Sequence, residues 1–164
     1  MRLITERRHV FAVPPARLWE AMVQIDRYRS WWPWLRSFDG SAVATGSTWA
    51  CAVRPRLGYP VRFEVELASV DAPNSIESTV RGDVSGTARV SIAAHRSGSE
   101  LLMCSDLVPT GRLLRTIARF APPVARWSHG WLLDRGLRQF EQRALGGPPA
   151  HPPPRPLCRP THRT

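Results

Sequence analysis

The fold is constrained most by an amphipathic stretch, residues 110–145, that two prolines interrupt. Its apolar residues recur at the spacing of one helix face. Proline inside a helix removes a hydrogen bond and clashes with the preceding turn, but it is tolerated in the first turn. Pro122 and Pro123 therefore predict a short helix followed by a longer one, which at about 22 residues would be roughly 33 Å long and could cross a whole sheet.

The start of the chain predicts one strand and two small helices. Residues 3–13 alternate between apolar and polar side chains. They end at Pro14 and Pro15, which can begin a helix but cannot continue a strand ladder. The residues that follow predict helices at 14–25 and 27–31.

Residues 35–108 contain six predicted strands, separated by glycine or proline. The alternation is clearest from Val61 to Leu67, where apolar residues take one face and charged residues the other. Most of this predicted sheet has one apolar face that needs a covering element. The long C-terminal helix can supply that cover.

Aromatic residues are concentrated around the second small helix, at Tyr28, Trp31, Trp32 and Trp34. We interpret them as a hydrophobic plug that anchors the small helices to the sheet. Contact with a ligand is the alternative interpretation, and the spacing is consistent with both.

With 164 residues and 43% hydrophobic content, the chain predicts one domain, at residues 1–145. Residues 146–164 are rich in proline, contain no acidic residue and have almost nothing apolar to bury. We therefore expect them to form a disordered tail. The three cysteines are far apart and lack the spacing of a zinc site, so neither a metal nor a cofactor is predicted.

The formal charge is +10, and all 23 basic residues in that count are arginine. A strongly basic chain raises the question of a nucleic-acid partner. The arginines are spread over nearly every segment, and no basic run is interleaved with stacking aromatics, so we expect a solvated surface without specific nucleic-acid binding. The chain shows neither a signal peptide nor an apolar run of membrane-spanning length, which predicts a cytoplasmic protein. Its oligomeric state is not predicted.

Four segments of the chain carry a family resemblance: VPPARLWEAMVQIDRYRSWWPWLRSF at 13–38, GSTWACAV at 46–53, GDVSGTARVSI at 82–92 and WSHGWLLDRGLRQFEQRAL at 127–145. They resemble the polyketide cyclase/dehydrase group of the START-related, birch-allergen-like (SRPBCC) superfamily. The resemblance implies an α+β helix-grip fold, in which a curved antiparallel sheet of about seven strands wraps around a long C-terminal helix. It also implies a cavity between sheet and helix.

Strand parity and helix spacing predict which residues would line such a cavity. A ligand cavity is mostly apolar, with a few polar groups that fix orientation. A plain packed core would have the same composition, so both interpretations stay open for each residue. The predicted ligand-binding wall comprises Trp49, Cys51, Phe63, Val65, Ser78, Val80, Val90 and Ile92 from the strands, and Trp127 and Trp131 from the helix.

Few polar residues are candidates for chemistry. His129 lies about 200° around the helix from both Trp127 and Trp131, which predicts a surface position. Asp106 lies on a strand of ambiguous parity. It either faces the cavity as a weak catalytic candidate, or lies at a turn or in a salt bridge, which we favour. No motif for a nucleophile, a phosphate loop or a metal site is present.

We predict a domain that binds or carries a small hydrophobic molecule, such as a lipid or a polyketide. The first alternative is an enzyme of the cyclase or dehydratase type, in which the cavity folds a polyketide-like chain and one or two polar groups move protons. The second is a protein-interaction module with an apolar groove. An enzyme would need an inward-facing pair of titratable groups. The sequence offers at most one such group, so binding is favoured.

Removing residues 146–164 is expected to leave the thermal midpoint within about 2 °C, because the tail has no apolar face to pack; one kcal/mol corresponds to roughly 2 to 8 °C in this size range. Differential scanning calorimetry of the truncated and full-length proteins measures the change. A fall of about 10 °C would instead show that the tail packs onto the domain.

Overall fold

The fold is seen in a computed structural model, which describes residues 1–56 and 58–146. A seven-stranded antiparallel sheet curls around one long helix, and three short helical elements and a further helix complete the domain. The predicted disordered tail lies outside the described residues, apart from Gly146.

The elements follow the predicted order. The predicted six strands after the small helices are confirmed, and so is the division of the C-terminal stretch at the two prolines. In chain order, the elements are β1 (Leu3–Phe11), α1 (Pro15–Met22), a 3₁₀ turn (Ile25–Arg27), α2 (Tyr28–Trp31), β2 (Leu35–Asp39), β3 (Thr48–Val53), β4 (Val61–Asp71), β5 (Ser75–Gly82), β6 (Val84–His95), β7 (Gly98–Pro109), α3 (Arg112–Phe120) and α4 (Pro122–Ala144).

The strands lie in the order β1-β7-β6-β5-β4-β3-β2, and all neighbours are antiparallel. Only β1 is displaced from its sequence neighbours, since it pairs with β7 at one edge. The α1 and α2 segment therefore crosses from that edge to β2 at the other. This is the α+β helix-grip architecture that the sequence predicts.

Helix α4 is attached to the sheet and to the small helices at its C-terminal half. Phe140 packs edge-on against Phe11 of β1 and against Trp31 of α2, with ring centroids 5.8 and 5.4 Å apart. Leu18 of α1 is fully buried in the same cluster. The plug predicted from the aromatic residues thus exists, with Trp31 only 2% exposed.

Among the described residues, no helix is both long and apolar enough to cross a lipid bilayer.

Gly86 lets β6 and β7 approach closely, which gives a prediction about stability. Its φ of +149° disfavours other residues, and an added Cβ would lie 2.0 Å from the carbonyl oxygen of Asp106. Gly86→Ala should lower the free energy of unfolding by about 2 to 5 kcal/mol, combining backbone strain with overpacking. Urea denaturation measures this loss.

Gly46→Ala is the matched control, because Gly46 also has a positive φ, +86°, but has no atom within 4 Å of an added Cβ. Gly46→Ala should therefore lower the free energy of unfolding only by the backbone strain, about 1 to 2 kcal/mol. Equal losses in the two variants would contradict the importance of the close approach between β6 and β7.

Candidate functional site

The concave face of the sheet and α4 are separated by a cavity of about 430 Å³. All seven strands contribute residues to its wall, and helices α3 and α4 close one side. The wall is almost wholly apolar. Its residues include Leu3, Leu35, Phe38, Val53, Val61, Leu67, Ile76, Val84, Ala88, Leu101, Met103, Leu107, Leu114, Leu132, Leu133 and Leu137.

Seven residues that the sequence assigns to the cavity wall lie there. They come from β3 to β6, where alternation marks the inner face clearly. Their placement on the wall is a matter of geometry, whereas contact with a ligand remains a prediction. The seven are Trp49, Cys51, Phe63, Val65, Ser78, Val80 and Val90.

Three other predicted wall residues do not line the cavity. Ile92 faces the same side of β6 as Val90, but it is buried in the cluster that contains Phe11 and Leu18. The reason is that α1 packs over this end of β6 and fills the space. Trp127 is 49% exposed, Trp131 is half-buried, and neither is among the lining residues; helical spacing places both roughly opposite Ala125 and His129 on α4.

The error for α4 concerns which face points inward. The period of the helix is as predicted, but the inner face in its first half carries the small residues Ala125 and Ser128. The two large residues Trp127 and Trp131 occupy the opposite face. Small side chains on the inner face leave space between helix and sheet, which is why the cavity lies here.

His129 lies on the cavity wall, contrary to the predicted surface position. Its Nε2 and the Oγ of Ser105 are the two buried side-chain polar atoms that have no hydrogen-bond partner within the described part of the chain. Both residues line the cavity. The hydroxyl of Ser78, by contrast, donates to the carbonyl of Ala88 at 3.1 Å. A buried polar atom without a partner costs free energy, and a polar group of a ligand could supply that partner.

Burial sets the protonation of the titratable groups around the cavity. It lowers the pKa of His129 below the ordinary 6.5, and the positive charge of Arg7 lowers it further. The imidazole is therefore neutral at pH 7. Burial raises the pKa of the Cys51 thiol to about 11, and it raises the pKa of Tyr28 as well, with a smaller contribution from Cys51. The cavity is thus lined by uncharged groups.

The aromatic cluster anchors the long helix and also forms part of the cavity wall. The Nε1 of Trp32 donates to the carbonyl of Gly136 at 2.9 Å, and the Nε1 of Trp34 donates to Oε1 of Gln139 at 2.8 Å. These bonds attach the segment to α4. Trp32, Trp34 and Tyr28 also line the cavity, so a ligand inside it would lie beside them.

Asp106 faces away from the cavity. In β7, Leu101, Met103, Ser105 and Leu107 line the cavity, so Asp106 takes the outer face of the sheet. There its carboxylate accepts hydrogen bonds from the guanidinium of Arg2, with Nε 3.0 Å from Oδ1. The favoured salt bridge is thus present, and Asp106 is not placed for chemistry in the cavity.

The described residues contain no group of three or more metal-ligating side chains that could hold an ion. The cavity can therefore make apolar contacts and hydrogen bonds with a ligand. The neutral imidazole of His129 is the base on its described wall.

Together, the fold and the cavity define a helix-grip domain of the SRPBCC superfamily. Residues 12–123 match the family described as "Activator of Hsp90 ATPase homolog 1-like protein", and the chain belongs to that family. No curated protein matches the sequence significantly.

Solved structures share the fold at low sequence identity. TTHA0849 from Thermus thermophilus has a TM-score of 0.68 at 15% identity, covering 89% of this chain and 98% of that one. The di-domain ARO/CYC protein BexL, from the BE-7585A biosynthetic pathway, has a TM-score of 0.69 at 14% identity, covering 92% of this chain and 51% of BexL. Ara h 8.0201 has a TM-score of 0.54 at 14% identity, covering 82% and 99%. The resemblance stated from the sequence is confirmed at the level of the superfamily and its fold.

The lowered pKa of His129 predicts a pH dependence of stability. Below pH 6.5 the unfolded chain binds a proton on His129 that the folded protein does not yet bind. The free energy of unfolding should therefore decrease as the pH falls from 6.5 towards the folded pKa. Urea denaturation at a series of pH values down to about 5 measures this dependence.

His129→Gln is the control, because it keeps a polar side chain and removes the titration. The variant should lose less stability than the parent protein over the same pH range. Identical pH dependences would show that His129 titrates as it does in the unfolded chain, and hence that it is not desolvated.

Proposed function

We propose that the protein binds one small, predominantly apolar molecule in the cavity between the sheet and α4. The cavity itself, about 430 Å³ with an almost wholly apolar wall, is the observation that supports this function. Ligand sites typically occupy about 300 to 1,000 Å³ and use a few polar groups for orientation. Burying apolar ligand surface gives roughly 25 cal/mol per Å², before the costs of association.

The two unpartnered polar atoms support a ligand with a polar end. Neutral His129 can donate from one ring nitrogen and accept at the other, and the Ser105 hydroxyl can do either. A hydroxyl or carbonyl group suits them both. A carboxylate suits them less well, because the described lining contains no cationic side chain, and Arg7, whose charge reaches His129, is already paired with Asp134. The proposed ligand is therefore a neutral lipid-like or polyketide-like molecule.

Catalysis of the cyclase or dehydratase type is the second candidate function. The neutral imidazole of His129 supports it, since a base with a pKa below 7 can accept a proton at neutral pH. The fold shared with BexL, an ARO/CYC protein, is consistent with it. Binding alone remains the first candidate, because the described wall provides no carboxylate or cation as a partner for that base.

Ser78→Phe should test occupancy of the cavity. Ser78 lies on its wall, so added bulk enters the space without displacing protein atoms. The parent protein should bind the fluorescent apolar probe N-phenyl-1-naphthylamine at tens of micromolar or better, and Ser78→Phe should weaken that binding by at least about tenfold, with a stability loss below the roughly 1 to 3 kcal/mol of an overpacked core. Fluorescence titration and urea denaturation give the two values.

Two control variants separate the causes. Thr79→Phe adds the same ring to the outer face of β5, and it should leave probe binding unchanged. Ser78→Ala removes the hydrogen bond to Ala88 without adding bulk, so it reports the cost of that bond alone. If the parent binds no probe and Ser78→Phe is strongly destabilised, the proposed binding function is wrong. If a molecule is bound, mass spectrometry of that molecule before and after incubation with the protein distinguishes carriage from chemical conversion.

A further inference from the structure

Helix α3 exposes apolar residues in a stripe along its outer side. Leu113 and Phe120 are 54% and 78% exposed, and with Thr116 between them they share one side of the helix at spacings of three and four residues. Leu114 and Ala118 point inward instead. Exposed single apolar residues are common, but an aligned pair this exposed on a highly amphipathic helix is typical of a binding surface.

A stripe of arginines runs beside the apolar one. Arg112, Arg115 and Arg119 are all exposed and follow the same spacing, so they lie on one side of α3. The guanidinium of Arg119 lies 5.7 Å from the centre of the Phe120 ring. These residues also border a groove with Met1 and Val108, which are themselves 41% and 39% exposed.

The first turns of α4 continue this combination of apolar and cationic residues. Val124 and Trp127 are 37% and 49% exposed and share one side of the helix. Arg126 is exposed next to them, and the guanidinium of Arg56 lies 5.5 Å from the Trp127 ring. Residues 107–133 contain no acidic residue. The whole α3 and α4 corner is therefore cationic and apolar at once.

We propose that this corner surface binds the interface of an anionic lipid bilayer. By corner surface we mean the apolar residues Leu113, Phe120, Val124 and Trp127 together with Arg112, Arg115, Arg119 and Arg126. Aromatic and aliphatic side chains enter the boundary between headgroups and acyl chains, while arginines on the adjacent side contact anionic headgroups. Charge complementarity and the two parallel stripes of α3 both fit this partner.

A bilayer fits the corner surface better than a nucleic acid does. Phosphates of a duplex would pair with the arginines, but they offer nothing to Leu113 and Phe120. The opposite sides of the same two helices line the cavity, through Leu114 and His129 among others. Docking would therefore place the cavity one helix thickness from the membrane. The docking itself does not depend on whether the cavity binds a ligand.

The test uses flotation of the full-length protein with vesicles of phosphatidylcholine, alone or with about 30% phosphatidylglycerol, at roughly physiological salt. Binding is expected only to the anionic vesicles. Replacing Arg112, Arg115 and Arg119 by Gln should weaken it by at least about tenfold, given the attraction of each arginine to an anionic surface. Replacing exposed Arg17, Arg29 and Arg36 by Gln removes the same charge elsewhere and should change binding less than about threefold.

The apolar stripe has its own matched control. Leu113→Ser with Phe120→Ser should weaken vesicle binding by at least about tenfold, whereas Ile4→Ser with Val23→Ser, two exposed apolar residues outside the corner, should not. The proposal is wrong if the two arginine triples behave alike, if the two apolar pairs behave alike, or if duplex DNA binds equally well and is insensitive to the loss of Leu113 and Phe120. Ser78→Phe should retain vesicle binding, so failure of cavity binding and failure of membrane docking are distinguishable.

Discussion

The attachment of α4 to the tryptophan segment determines most of what this structure can do. Two indole N–H groups, from Trp32 and Trp34, donate to Gly136 and Gln139 of the helix. They act at one end only, where Phe11, Trp31 and Phe140 fill the space below the helix. Towards the N-terminal end of α4, Ala125 and Ser128 face the cavity, and contact with the sheet is made by Leu132 of α4 and Leu114 of α3. The cavity therefore lies beside the part of α4 that the aromatic cluster does not hold against the sheet.

Gly136 shows how closely this attachment is fitted. An added Cβ would lie 3.2 Å from Cζ2 of Trp34, tighter than ordinary van der Waals contact. The same residue accepts the hydrogen bond from Trp32 through its carbonyl. A glycine within a long helix is unfavourable by itself, by roughly 1 kcal/mol relative to alanine. Its presence here is explained by the two indoles that pack on it.

The fold could be predicted from the sequence because its signals are local and periodic. Strand alternation, glycine and proline punctuation, and the proline pair before α4 each depend on neighbouring residues alone. The residues on the inner face of β3 to β6 could be predicted directly from the sequence, since polar and apolar residues alternate there. In β7 the parity was ambiguous, because Leu102 and Cys104 on the outer face are as apolar as Leu101 and Met103 on the inner face. Pairing with β1 and the ion pair of Asp106 with Arg2 resolve it, and both are long-range contacts.

The helix wall is the part that sequence reasoning places wrongly. Helical spacing assigns the large aromatic residues to the buried side of α4, where they lie in most cores. In this helix Trp127 and Trp131 face outward, and His129, which the pattern excludes, faces the cavity. In α4 the inner side carries Ala125 and Ser128 together with leucines such as Leu132 and Leu133, so the expectation that the largest aromatic residues lie inside does not hold here. The spacing of Ala125, Ser128, His129 and Leu132, which share one side of the helix, is the signal that could have found it.

The thiol of Cys51 has a consequence for the kind of molecule that the cavity can hold. Burial in the wall between strands raises its pKa to about 11, and only the thiolate form of a cysteine is a good nucleophile. At neutral pH about one such side chain in ten thousand is ionised. Addition of the Cys51 sulfur to a conjugated ketone is therefore slow at neutral pH. For the proposed binding function, this means that an unsaturated ligand beside Cys51 would form a thioether adduct only slowly at neutral pH.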